Sequence, residues 1–200
     1  FAEKGVMTIR LGNSLSVLPP QRVAWIPPEI THRVTLSNVV NYRSIYIDTK
    51  HYPGLPTQYR VWNITPLLRA ILEVIALSPW QEMVWDEDSR AGHWLSVLWD
   101  ELAEVPMRNI ELPFPLDDRL QHIDFNKLPA ELNIMAKTVG ASEKTITRIF
   151  QRETGLGYQA WRQQWRLLKA IELLSEEYSL MEIGLQLGFA NDSSFVQFFK

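Results

Sequence analysis

Hydrophobic and polar positions follow one rhythm in the opening stretch of the chain and another from Thr65 onward. Val6–Leu11 and Leu15–Leu18 alternate with period two on either side of the turn pair Gly12-Asn13. Val23-Ala24-Trp25-Ile26, bracketed by Pro19-Pro20 and Pro27-Pro28, then Val34–Leu36 and Tyr42–Ile47, continue a series of short predicted strands. Such a series favours a sandwich or a barrel. At Thr65-Pro66 the pattern becomes helical, with an N-cap, proline in the first turn, and Leu67, Leu68, Ile71, Leu72 and Ile75 on one face. A second predicted helix runs from Ser89 to Val105, with Trp94, Leu95, Leu98, Trp99 and Leu102 at core spacing. Asp86-Glu87-Asp88 stands near its start, where acidic charge suits the helix dipole. The alternating ligands of a calcium loop are absent there.

The second half carries a repeat. In Leu132–Ala141 a small residue, Ala136, precedes Gly140 by four positions. Two helices that cross steeply need a small side chain at their closest approach and a turn residue tolerant of positive φ. Ser142 then predicts an N-cap, with Ile146, Ile149 and Phe150 as the buried face of the helix it opens. The same small-xxx-Gly unit returns 48 residues on, as Gly184 and Gly188. Asn191 or Asp192 caps the next predicted helix, with Phe195, Phe198 and Phe199 apolar, and the second turn is one residue longer. Between the two units Tyr158–Glu177 is a proline-free amphipathic segment, with Trp161, Trp165, Leu168, Ile171 and Leu174 near core spacing. One such unit is a weak signal. Two in tandem, joined by one helix, are far more specific.

Composition sharpens this division. The 200 residues allow one large or two small domains, and 46% apolar with 22% charged is ordinary for a globular chain. The net charge of -3 by itself speaks against nucleic acid. It averages over unlike halves. Residues 1–118 hold 10 basic and 14 acidic side chains, whereas 119–200 hold 10 and 9. Within 137–169, Lys137, Lys144, Arg148, Arg152, Arg162, Arg166 and Lys169 face only Glu143 and Glu153. Of the 12 prolines, all but Pro129 lie before residue 116, so continuous helix is confined to the later part.

Several chemistries find no support. The absence of cysteine excludes disulfides, thiolate metal sites and a cysteine nucleophile. His32, His51, His93 and His122 are scattered without metal-ligand spacing, so no metal and no cofactor is expected. Gly12-Asn13-Ser14 lacks the second glycine of a nucleophile elbow. Gly155-Leu156-Gly157-Tyr158-Gln159-Ala160 matches a dinucleotide fingerprint in letters, but a helix and not a strand precedes it. Gly155 reads instead as a helix C-cap. No apolar run is long enough for a membrane span.

The tandem units resemble the AraC/XylS family of bacterial transcription regulators. The resemblance is carried by Ser142–Phe150, Glu153-Thr154-Gly155, Trp161-Arg162-Gln163-Gln164, Leu187-Gly188-Phe189, Ser193-Ser194-Phe195 and Phe198-Phe199-Lys200. Gly5-Val6, Pro20, Trp25-Ile26-Pro27-Pro28 and His32 resemble the amino-terminal cupin of one branch, with His32 a structural or ligand-facing residue and not a metal ligand. Leu112–Asp117 with Arg119-Leu120 resembles that branch's linker, where Asp118 replaces a second proline. The implied fold class is α+β and multi-domain: a partial cupin-like β-barrel, then helices, then an all-α tandem helix-turn-helix domain. The implied division is 1–60 as sensor, 61–118 as helical dimerisation segment and linker, and 119–200 as DNA-binding domain. Against the family's pattern the chain is expected to be cut at both ends, entering the barrel at Phe1 and stopping at Lys200 inside the second reading helix.

The resemblance implies a sequence-specific, cytoplasmic, non-enzymatic regulator whose partners are double-stranded promoter DNA, a small-molecule effector and a second copy of itself. Base-reading candidates are Lys144, Thr145, Arg148 and Gln151 on the first helix, and Ser193, Ser194, Gln197 and Lys200 on the second. Phosphate candidates are Arg152, Arg162, Arg166 and Lys169. Two alternatives stand beside this reading: a cupin-type metal-dependent isomerase or dioxygenase, and a ligand-binding or dimerisation fragment that does not bind DNA.

Overall fold

The computed structural model describes residues 1–49, 55–79, 84–86, 88–105 and 111–199. Among the described residues five strands come first, then two helices, a sixth strand and five further α-helices. The strands are β1 (Lys4–Leu11), β2 (Ser14–Leu18), β3 (Arg22–Trp25), β4 (His32–Val40), β5 (Arg60–Asn63) and β6 (Glu111–Pro113). The helices are α1 (Pro66–Leu77), α2 (Arg90–Glu104), α3 (Leu132–Thr138), α4 (Glu143–Thr154), α5 (Tyr158–Ser175), α6 (Leu180–Gln186) and α7 (Asp192–Phe199). The strands form a four-stranded sheet of order β4-β1-β2-β6 and a two-stranded sheet of β3 and β5. Among the described residues neither closes into a barrel, so the partial barrel takes the form of open sheets.

Three sequence expectations change here. Tyr42–Ile47 is not a strand. Asn41 adopts φ 56, and the segment is tied to the chain start, where Arg43 N–H donates to the Phe1 carbonyl at 2.9 Å and Phe1 N–H to the Arg43 carbonyl at 3.0 Å. Its alternation serves packing instead, since Ile45 lies against the apolar core. Conversely, the linker segment supplies β6, which pairs antiparallel with β2 through Ser14 with Pro113, Leu15 with Leu112, and Ser16 with Glu111. Pro113 cannot donate to a ladder, and β6 accordingly sits at the sheet edge. β5, too short to show a period, pairs with β3 from Arg22 with Asn63 to Trp25 with Arg60.

Contacts divide the chain into two compact units, Phe1–Gly5, Leu18–Ile30 and Val39–Asn109 in one, and Val6–Val17, Thr31–Asn38 and Ile110–Lys200 in the other. In the first, Thr65 caps α1 by accepting from Leu68 N–H, and Ser89 caps α2 by accepting from Gly92 N–H. Leu68, Ile71, Leu72 and Ile75 of α1 meet Leu95 and Leu98 of α2 in an apolar core that Phe1 joins. Leu67, expected inside, is 50% exposed. Asp86 and Asp88 precede the α2 cap, whereas Glu87 lies outside the described residues.

The second unit is built around α5. Trp161, Trp165 and Leu168 are buried as expected, but Leu173 and not Leu174 continues that face. Phe150 of α4 meets Tyr158 and Trp161 edge-on, with ring centroids 4.8 and 5.1 Å apart. Each polar tip of this aromatic cluster finds a carbonyl. Tyr158 Oη donates to Ala130 at 2.6 Å, Trp161 Nε1 to Pro113 at 2.6 Å, and Trp165 Nε1 to Phe125 at 2.7 Å. Burial pushes the Tyr158 hydroxyl up to about 12, so it stays a donor throughout the physiological range.

Candidate nucleic-acid interface

The two helix-turn-helix units repeat bond for bond. In the first, Met135 N–H donates to Glu131, Val139 to Met135, Gly140 to Lys137 and Ala141 to Ala136. In the second, Ile183 donates to Ser179, Leu187 to Ile183, Gly188 to Leu185 and Phe189 to Gly184, each displaced by 48 positions. Gly140 and Gly188 occupy left-handed backbone at φ 66 and φ 72, the conformation that reverses each chain after its first helix. Beyond the turns the displacement becomes 49, since Ile146 donates to Ser142 and Phe195 to Asn191. The extra residue expected in the second turn is therefore present.

Helix α4 starts at Ser142, whose Oγ accepts from Thr145 N–H at 3.1 Å. It ends at Gly155 in left-handed backbone, the C-cap expected from sequence. Ile146, Ile149 and Phe150 are buried, which turns Lys144, Arg148, Gln151 and Arg152 outward and leaves Thr145 half-buried. Helix α7 is capped by Asn191, whose Oδ1 accepts from Ser194 N–H at 2.8 Å. Phe195 is buried and Phe198 half-buried, while Phe199, expected inside, is 37% exposed. Ser193 and Gln197 face outward, Ser194 is half-buried, and Lys200 lies outside the described residues.

The base-reading candidates differ in their local bonds. Thr145 Oγ1 pairs with Ser142 Oγ at 2.9 Å, Ser194 Oγ donates to Asn191 at 2.8 Å, and Gln151 Nε2 donates to the Gly155 carbonyl at 2.8 Å. These three help to build the helix ends. Lys144 and Arg148, both exposed, carry the long cationic side chains of this surface.

The phosphate candidates separate further. Arg166 is only 8% exposed, with its guanidinium over the Phe189 ring at 4.9 Å. Burial lowers its affinity for a proton. That enclosure sets Arg166 apart from Arg152, Arg162 and Lys169, which are exposed or half-buried. Arg162 Nε donates to the Pro129 carbonyl at 2.7 Å, and Lys169 pairs with Glu172 at 2.8 Å. Arg152 is shared between its neighbour Glu153 and Asp117, the latter at 3.6 Å.

That last contact belongs to a cluster not foreseen from sequence. Glu153 Oε2 accepts the backbone N–H of Leu116 at 2.8 Å and of Asp117 at 3.0 Å, fastening the segment before α3 to the end of α4. Arg119 meets both carboxylate oxygens of Asp117 at 2.8 Å. That fork, with lesser help from Arg152, holds the Asp117 carboxyl at about 2, and Arg152 with the two backbone donors lowers Glu153. The segment is thus pinned although Asp118 stands where a proline would stiffen it. Among the described residues no three His, Asp or Glu side chains are grouped to hold a metal ion, and His32 is exposed on β4. His51 lies outside the described residues. No described helix is long and apolar enough to cross a membrane.

Comparison with known proteins agrees with the repeat. Residues 135–200 match a helix-turn-helix domain family. The whole chain is 25% identical to the HTH-type transcriptional regulator NimR of Escherichia coli, spanning 74% of that protein. It is 32% identical to the HTH-type transcriptional regulator RipA of Corynebacterium glutamicum, of which it spans 57%. Among solved structures it aligns over its full length with ToxT from Vibrio cholerae, at 14% identity and a TM-score of 0.36.

Proposed function

We propose a working arrangement for this chain, which belongs to the AraC/XylS family of helix-turn-helix transcription regulators: α4 and α7 enter successive major grooves on one face of operator DNA. The observation that carries it is the bond-for-bond repeat of the two turns, each followed by a capped helix with a buried apolar face and a polar outer one. In this reading Lys144, Thr145, Arg148 and Gln151 meet one groove, and Ser193, Ser194, Gln197 and Lys200 the next. Arg152, Arg162 and Lys169 contribute to register on phosphate through whatever donors their present partners leave. Target choice then rests on few contacts, since the net charge of -3 gives little non-specific attraction.

The division of labour is 1–60 as sensor, 61–118 as helical segment and linker, and 119–200 as reader. A small-molecule effector is supported by a cavity of about 950 Å³ that the sensor segment shares with the helical one, between Ile45 of the former and Ile75, Trp85, Asp86 and Leu95 of the latter. A homodimer is supported by Leu67, Val74 and Leu77, exposed along α1 at spacings of seven and three. The chain works on DNA in the cytoplasm, as a regulator and not as a metal-dependent cupin isomerase or dioxygenase. Protection mapping on DNA selected by the chain tests the core of this reading. Two protected major grooves about 34 Å apart on one face are expected. Protection of a single groove refutes it.

A further inference from the structure

Among the described residues of the compact unit built around α5, Arg166 is the most enclosed cation, and the base- and phosphate-reading scheme proposed above does not use it. It projects from the middle of α5 and is 8% exposed. Its guanidinium covers the Phe189 ring at 4.9 Å, and its Nε has no hydrogen-bond partner. Phe189 is the first residue after the second turn, and its ring meets Phe195 at 5.7 Å and Phe198 at 5.1 Å, both on α7. On the other side, a Cβ at Gly188 would stand 3.4 Å from Arg166 Nη2 and 2.9 Å from Leu128. The guanidinium therefore fills the space between the connecting helix and the second turn, and a ring stack leads from it to the second reading helix. An enclosed cation that gives up a hydrogen bond is costly unless its ring contact and shape are needed there.

We infer that Arg166 is a positioning residue, which sets the second reading helix relative to α5 by holding the Phe189 ring, and contacts no phosphate itself. The first unit has a different arrangement. The residue after its turn is Ala141, whose side chain carries no ring for a cation to hold. Arg166 accordingly governs how the second helix meets its groove and leaves the first untouched. This rests on both units engaging DNA as proposed above.

The test uses the full chain and a duplex that it selects from a randomised library, alongside a shortened duplex that retains only the groove of the first unit. Arg166→Gln is expected to lower affinity for the long duplex about tenfold, the scale of one lost base contact, and to leave the short one unchanged. Phe189→Leu, which removes the ring and keeps the bulk, should reproduce that split, and the double variant should add nothing to either. Arg166→Lys, which keeps a cation near the ring, should recover part of the loss. Equal loss on both duplexes, with a shallower salt dependence, makes Arg166 a phosphate contact and overturns the inference. Equal loss with unchanged salt dependence reduces it to general stability and overturns it as well. Should Arg166→Gln fail to fold, the split of Phe189→Leu decides. A wild-type chain with equal affinity for both duplexes refutes instead the two-groove reading beneath it.

Discussion

Asp117 stands 3.6 Å from Arg152, so a carboxylate from the segment before α3 joins Glu153 in holding the cation at the end of α4. Arg119 grips the same carboxylate, and Glu153 fastens the backbone of 116 and 117. With Asp118 nearby, the group carries three negative and two positive charges, so phosphate gains little there while it is closed. Asp117→Asn should raise affinity for DNA at low salt and steepen its salt dependence by up to about 0.9 in log–log slope, the effect of one released phosphate contact. Asp118→Asn removes the same charge without releasing Arg152 and should change the slope much less. Binding isotherms at several salt concentrations check both, and equal effects from the two variants would sink the assignment.

The same cluster sets a pH dependence. Asp117 titrates at about 2 in the folded chain against an ordinary 3.8, chiefly through its Arg119 hydrogen bonds. The unfolded chain therefore binds more protons in that interval, and folding gains from the ion pair as pH rises. Its contribution is complete above about 4 and disappears as pH falls through 2. A carboxyl titration followed by NMR should find Asp117 ionised at pH 3, and Asp117→Asn should flatten the acid limb of stability only below about pH 4.

Arg148 lies on the outer face of α4, between buried Ile146 and Ile149. Arg148→Ala should leave thermal stability within about 0.5 kcal/mol, as surface substitutions do. It should cost about 1–3 kcal/mol of DNA affinity and relax preference at one base pair. A selected-sequence comparison of the two chains measures this. A uniform loss at every position would make Arg148 a phosphate contact instead.

Three glycines of similar appearance should respond differently. Gly184 has φ below zero, and a Cβ there meets Phe195 Cβ and the Asn191 carbonyl at 3.6 Å, ordinary contact. The equivalent first-unit residue is already Ala136, so Gly184→Ala should be neutral or stabilising by up to about 1 kcal/mol. Gly140→Ala meets open space but keeps φ 66, which should cost about 1–2 kcal/mol. Gly188→Ala adds a 2.9 Å approach to Leu128 and should cost more than Gly140→Ala. Urea denaturation ranks the three.

The parts of this fold legible in sequence are those fixed by residues close together in the chain. Ser142 and Gly155 bound α4, and the Ala136–Gly140 and Gly184–Gly188 spacings mark both turns. These signals are local because a cap or a positive φ is decided within a few residues. What escaped depends on distant partners. Tyr42–Ile47 alternates like a strand, but its backbone meets Phe1 and not a sheet. Arg166 reads as one more base on a solvated face until Phe189, from the second unit, covers it. Glu153 reads in sequence as an opposing charge and part of a family motif, and its role as a clamp appears when residues 116 and 117 arrive beside it.

The extra residue in the second turn reaches further than local geometry. It shifts the correspondence to 49, which sets Lys144 against Ser193, Thr145 against Ser194, and Arg148 against Gln197. One residue on a helix is about 100° of rotation, so the longer turn restores an outward face to α7 that a displacement of 48 would have turned inward. At these three positions the two faces differ in chemistry, with two long cations and a hydroxyl on α4 against two hydroxyls and an amide on α7. A single chain so built has a head and a tail along the duplex. In the arrangement proposed above, each copy of the chain reads its own stretch of duplex in one direction.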